Sequence, residues 1–160
     1  MKVKNIVVED FCNYKQPSMF IVSAVCDFKC CKQYGFDTSI CQNSSLTSTP
    51  TIEVDDEDIF NMFISNNITK SVVIGGLEPF LQFNEVLRLI DLFRRRGEQC
   101  DFIIYTGYYP NEIQSQIDEL ARYTGIIIKF GRYIPNTPSI FDPLLGINLA
   151  SDNQFSVRVS

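Results

Sequence analysis

The chain has 160 residues, a formal net charge of −5, 45% hydrophobic and 21% charged residues, which suits one globular domain over residues 1–160. No apolar run reaches the roughly 20 residues of a membrane helix, and the start carries no secretory pattern, so a cytoplasmic location is expected. The only basic run, Arg94-Arg95-Arg96, ends a predicted helix where cations complement the dipole, so nucleic acid is not an expected partner. With no histidine in the chain, Ser–His and Cys–His hydrolases and histidine-bearing zinc sites are excluded.

In chain order, a short strand-like segment opens the sequence, and the apolar run Met19 to Val25 predicts a second strand. Lys32 to Pro50 is polar, lacks helical period and reads as a long loop. Asp55 to Ser65 predicts a helix with an acidic first turn and Ile59, Phe60 and Phe63 on one face. Ser71 to Ile74 reads as a buried strand ending at Gly75-Gly76. Asn84 is the expected cap of a helix running through Arg96, with Gly97 as its stop. Phe102 to Tyr105 is the next buried strand. Asn111 to Arg122 predicts a helix carrying Ile113, Ile117 and Leu120, and Gly125 to Phe130 a third buried strand. Short apolar strands alternating with amphipathic helices predict βαβ units on a parallel sheet. Ligands of such sheets gather at the carboxyl ends of the strands.

Those ends carry every unusual motif. Cys26, Cys30, Cys31 and Cys41 put four of the six cysteines within sixteen residues. Thiolates crowded onto one loop point to a metal, an iron–sulfur cluster or a disulfide. A cytosolic setting argues against a disulfide framework. Cys26 and Cys30 suit two ligands on one wrapping loop, and Cys41 a third. Three thiolates leave one iron of a four-iron cluster open. The competing reading is a structural zinc site, for which Cys12 could supply a fourth ligand, or buried free thiols, although paired C-x2-4-C knuckles are lacking. In Gly75-Gly76-Leu77-Glu78-Pro79 the glycines allow close backbone approach to a ligand, and Glu78 offers an acceptor for an ammonium group. A plain turn between strand and helix is the alternative. Tyr105-Thr106-Gly107-Tyr108 offers a hydroxyl-lined wall for a nucleoside, or simply rim aromatics.

Taken together, Cys26, Cys30, Cys41-Gln42-Asn43, Gly75-Gly76-Leu77-Glu78-Pro79 and Ile104-Tyr105-Thr106-Gly107-Tyr108 resemble the radical S-adenosylmethionine superfamily. The nearest likeness is to activating proteins of anaerobic (class III) ribonucleotide reductase. Gly131-Arg132-Tyr133 and Leu149-Ala150-Ser151-Asp152-Asn153-Gln154 resemble further segments of that subfamily. The chain departs from the pattern in two places. The gap from the second to the third cysteine is longer than the family's C-x3-C-x2-C, and Leu77 interrupts the family's GGEP.

The resemblance implies an α/β fold, an incomplete TIM-like (β/α) barrel. It implies a 4Fe–4S cluster on Cys26, Cys30 and Cys41, with Cys31 as the alternative second ligand. S-adenosylmethionine would bind at Gly75, Gly76, Glu78, Ile40, Asn43, Tyr105, Thr106 and Gly107. The implied activity is reductive cleavage of that cofactor to a 5′-deoxyadenosyl radical that generates a glycyl radical on anaerobic ribonucleotide reductase, with electrons from a flavodoxin-like or ferredoxin-like donor. The alternatives are a small-molecule radical enzyme, similar to a deazapurine synthase, or a metal or redox module without catalysis.

Overall fold

A computed structural model describes all residues, Met1–Ser160. Strands β1 (Lys2–Asp10), β2 (Ser18–Ser23), β3 (Ile52–Glu53), β4 (Ser71–Gly75), β5 (Asp101–Tyr105), β6 (Ile126–Phe130) and β9 (Phe155–Arg158) form one sheet in the order β3-β1-β2-β4-β5-β6-β9. Strands β2, β4, β5 and β6 run parallel. The flanking β1 and β9 are antiparallel to their neighbours. A separate hairpin pairs β7 (Ile140–Asp142) with β8 (Ile147–Leu149).

The expected barrel, even an incomplete TIM-like one, is not what forms. The parallel run stops at four strands because β1 and β9 cap its two sides in the antiparallel sense, and the sheet stays open. The parallel βαβ core itself is as expected. Its strands are buried on both faces because each face is covered, which is why they read as continuous apolar runs.

The two faces are covered differently. On one, Met19, Ile21, Val72, Ile74, Phe102, Ile104, Ile126 and Ile128 pack against helices α2 (Asp56–Ser65), α3 (Phe83–Arg95) and α4 (Gln114–Leu120). Phe93 anchors this layer edge-on to Phe60 and Phe102, at centroid distances of 5.0 and 5.1 Å; such pairs add about 0.5–1.5 kcal/mol beyond their buried area. On the other face Val73, Ile103 and Ile127 form a row covered by Tyr14, Leu145 and Leu149. Two residues further along each strand lies the row Val22, Gly75, Tyr105 and Lys129, aligned by the pairings Val22↔Gly75 and Tyr105↔Lys129. That row is the floor of the site.

Several element boundaries differ from the sequence expectation. A 3-10 turn at Pro79–Gln82 runs directly into α3, so the helix opens at Phe83 without a side-chain cap, and Asn84 lies inside it. Pro110–Glu112 forms its own tight turn, closed by the Glu112 carboxylate accepting from the Tyr109 amide, so α4 begins only at Gln114. The Lys32 to Pro50 segment is not structureless. It contains the end of α1 (Lys29–Tyr34) and 3-10 turns at Thr38–Ile40 and Ser44–Ser48.

Candidate metal centre

The chain leaves β2 and is pinned at once. The Ala24 amide donates to Gln82 (2.8 Å), and Val25 accepts from the Glu78 amide (2.8 Å). Phe28 takes a left-handed conformation (φ 53) ahead of α1, which folds its amide back onto the Cys26 sulfur at 3.3 Å. Consecutive helical positions lie about 100° apart, and Cys30 and Cys31 differ in exposure although their sulfurs are 3.9 Å apart. Cys31 is 3% exposed and turns into the protein, whereas Cys30 faces a cavity also lined by Cys26 and Cys41. Gly35 stops α1 in the left-handed conformation (φ 67), and Asp37 caps the next turn, which delivers Cys41 beside Cys30.

The cavity measures about 580 Å³ and collects most of the residues singled out in the sequence. Cys26, Cys30, Cys41, Asn43, Gly76, Glu78, Tyr105, Thr106 and Gly107 all line it. Gly75 and Ile40 do not. Gly75 lies within β4, where a Cβ would meet the Tyr105 Cβ at 2.9 Å; at Gly76 (φ +79) it would meet a Val22 methyl at 2.7 Å. A side chain at either glycine would therefore first meet the protein's own packing, and only Gly76 also lines the cavity. Ile40 is largely exposed on the turn before Cys41. Cys12 lines the cavity from the turn after β1, while Cys100 is buried in the helix-side core.

Leu77 does not displace Glu78 from the site. Leu77 is itself buried, and the Glu78 carboxylate is held by three donors: Oε1 accepts from Thr106 Oγ1 (2.7 Å) and the Phe80 amide (3.1 Å), Oε2 from the Gly107 amide (2.9 Å). A carboxylate has roughly four lone-pair positions, so one on Oε2 remains for a ligand. Lys129, which sequence reasoning missed, lies on the floor beneath. Its ammonium group is buried, 3.4 Å from the Gly131 carbonyl and 5.8 Å from the Tyr105 ring centre.

Burial dominates the proton affinities. It lifts Glu78 to about 7 despite its three donors, and pulls Lys129 down to about 8. Burial also lifts the Cys26 thiol to about 11, opposed by the Phe28 amide. A hydrogen bond from Cys41 lowers Cys30, and the same bond raises Cys41.

A pH dependence follows for the cluster-free protein. From the ordinary value of 4.5 up to about 7 the folded state keeps a proton on Glu78 that the unfolded state has lost, so stability falls across that window, by on the order of 3 kcal/mol. From about 8 to 10.5 the unfolded state holds a proton that buried Lys129 lacks, so stability rises again. No histidine titrates between the two windows. Urea midpoints at pH 5 and 7.5 should show the fall in the wild type and not in Glu78→Gln; an equal fall in the variant would assign the titration elsewhere.

The donor set fits an iron–sulfur cluster. Soft thiolates with no imidazole are what such clusters take, and the Phe28 amide points at the Cys26 sulfur from 3.3 Å. No three Cys, Asp or Glu side chains converge on one point where a single ion would bind. The sequence model of the 4Fe-4S single cluster domain family matches residues 18–143. The chain belongs to that family. The match spans β2 to β7, and so includes Cys26, Cys30 and Cys41, three of the four cysteines that line the cavity, and the parallel core. No curated protein and no solved structure matches the chain. No helix is long and apolar enough to cross a membrane.

Proposed function

We propose that this 4Fe–4S single cluster protein is a radical S-adenosylmethionine enzyme that activates a glycyl-radical partner. Cys26, Cys30 and Cys41 are its cluster ligands. The observation that carries the reading is one cavity that brings Cys26, Cys30 and Cys41 together, with Cys12 also in its lining, beside a buried carboxylate with an open acceptor position and a buried ammonium group. That pairing of charges suits an amino acid, with the amino end at Glu78 and the carboxylate end toward Lys129. A cavity of about 580 Å³ is in the range that holds a nucleoside-sized ligand. Tyr105 and Gly107 provide its wall, and a Cβ at Gly107 would meet nothing nearer than Glu78 at 3.7 Å.

Cys26, Cys30 and Cys41 would hold the cluster, which when bound and reduced would supply the electron for reductive cleavage of S-adenosylmethionine to methionine and a 5′-deoxyadenosyl radical able to take a hydrogen atom from a glycine of the partner. The protein's own residues bind the cofactor ends and exclude water. The resemblance in Tyr105-Thr106-Gly107-Tyr108 favours anaerobic ribonucleotide reductase as partner, with a flavodoxin-like or ferredoxin-like donor, in the cytoplasm, where six free thiols stay reduced. The polar stretch 32–50, whose middle residues Cys41 to Asn43, Ser45 and Leu46 line the cavity, is the candidate for partner recognition.

The test combines reduced enzyme, S-adenosylmethionine and the class III reductase of the same organism, read by electron paramagnetic resonance. A glycyl doublet on the reductase is expected. Cofactor cleavage without that doublet would overturn the activase role and leave a small-molecule substrate. An iron-bearing protein that does not cleave the cofactor would leave a redox module.

A further inference from the structure

The helix that carries Cys30 is poorly secured by its own packing. α1 has six residues and buries one side chain, Cys31. Hydrophobic burial at that scale does not fix a loop to the fraction of an ångström that a cluster ligand needs. Polar contacts to a single segment make up the difference. Asp27, next to Cys26, accepts from the Tyr108 hydroxyl at 2.8 Å. Lys29, next to Cys30, is 2.6 Å from Glu112 Oε1 and lies 5.0 Å from the Tyr108 ring centre. Tyr34, at the far end of the helix, lies beside Tyr109.

We propose that the segment Tyr108–Glu112, which follows β5, is a latch that positions the cluster loop, with Glu112 and Tyr108 as its positioning residues. This rests on the cluster reading given above.

The latch is built before the loop reaches it. Glu112 Oε1 also accepts from Arg132 Nη2 at 2.7 Å, and Oε2 from the Tyr109 amide at 2.9 Å. Arg132 is 1% exposed, is stacked 4.9 Å from the Tyr109 ring centre, and has no other anionic partner. A buried guanidinium forces its one carboxylate to stay ionised and in place, so Lys29 docks onto an acceptor fixed from the β6 side. Asn153 bonds both the Tyr109 hydroxyl (3.0 Å) and the Arg132 carbonyl (2.8 Å), closing the support from beneath. One half of the cavity, β2 with its thiols, is thereby tied to the other half, β5 and β6 with the cofactor-binding residues.

The test uses Lys29→Gln, Lys29→Arg and Tyr108→Phe in anaerobically loaded protein. Three quantities are measured: the rate at which an iron chelator strips the cluster, the resonance line shape of the reduced cluster, and the urea midpoint of the cluster-free form. Lys29→Gln and Tyr108→Phe should lose the cluster about fivefold faster, the scale of one charge-assisted hydrogen bond, with broadened lines. Lys29→Arg should restore wild-type behaviour, because guanidinium reaches the same carboxylate. Urea midpoints should not move. Wild-type stripping rates and line shapes in Lys29→Gln and Tyr108→Phe would overturn the latch. Lowered urea midpoints in step with the faster loss would reduce it to ordinary structural support. A wild-type protein that takes up no iron would instead fail the cluster reading, and the latch with it.

Discussion

Cys30→Ser should strip the cluster from this protein, and Cys31→Ser should leave it in place. The two residues are adjacent in sequence, and only helical geometry separates them. Cys30 lines the cavity with Cys26 and Cys41, whereas Cys31 is packed into the interior with its sulfur 3.9 Å from that of Cys30. A serine hydroxyl is a hard, weakly acidic ligand and does not replace a thiolate on iron. Removing one of three thiolates leaves a second iron exposed to solvent, so most of the iron should be lost on desalting. Cys26→Ser and Cys41→Ser should behave like Cys30→Ser. Cys100→Ser should keep full iron, since Cys100 is a buried small hydrophobe among the helices, and so should Cys12→Ser, since Cys12 lines the cavity from the separate turn after β1 rather than from the cysteine loop; loss of iron there would make Cys12 a fourth ligand. Iron and sulfide are counted per chain after anaerobic reconstitution. Retention in Cys30→Ser with loss in Cys31→Ser would mean that α1 rotates when the cluster binds. Retention in Cys41→Ser would remove that residue from the ligand set.

The parts of the fold that the sequence exposed share one property: their pattern is decided locally. β4, β5 and β6 are continuous apolar runs as expected of doubly covered parallel strands, and α2 and α3 carry apolar residues at helical spacing, α2 behind an acidic start. The barrel was a different kind of inference. Whether a sheet closes depends on what pairs with its outer strands, and β1 and β9 take antiparallel positions through contacts far apart in sequence. β7, β8 and β9 have three or four residues each and mixed polarity, too short for a period-two pattern to stand out. The 32–50 segment read as a loop because 3-10 turns capped by Asp37 have no 3.6-residue period to detect.

The site divides in the same way. Cysteines and a glutamate after two glycines announce chemistry by residue type, so Cys26, Cys30, Cys41 and Glu78 stood out. Lys129 did not, because one lysine near the end of an isoleucine run reads as the point where a strand reaches solvent. The usable signal was parity: Ile127 and Lys129 share a face, and the neighbouring Ile103 and Tyr105 continue it across the sheet. Glu112 gave no signal, since a glutamate in a predicted first helical turn already has an explanation, and Arg132 stood out only within the Gly131-Arg132-Tyr133 resemblance, with no partner indicated. Only the folded chain brings them to Lys29.

Glu78→Gln should weaken S-adenosylmethionine binding about tenfold or more while iron content stays at the wild-type level. Glutamine is the informative replacement because it preserves the shape of a group that is 5% exposed and keeps one oxygen for Thr106 and the Phe80 amide. What it removes is the charge, and it turns an N–H₂ group toward either the Gly107 amide or the ligand's ammonium. Hydrogen bonds to a charged partner are worth about 1.5–3 kcal/mol, and their loss in a closed cavity is not made good by water. Alanine would add a second effect, since Thr106 Oγ1 and the Gly107 amide would each lose the acceptor they now have, and part of its loss in affinity would come from a relaxed strand end. Anaerobic titration calorimetry with cluster-loaded protein separates the cases. A Gln variant that binds as the wild type does would show that the ammonium group docks elsewhere and that Glu78 serves only to tie Thr106 and Gly107 to the turn after β4. A Gln variant that loses affinity with its cluster intact would place the amino end of the ligand at Oε2, the one carboxylate oxygen whose bonding is incomplete.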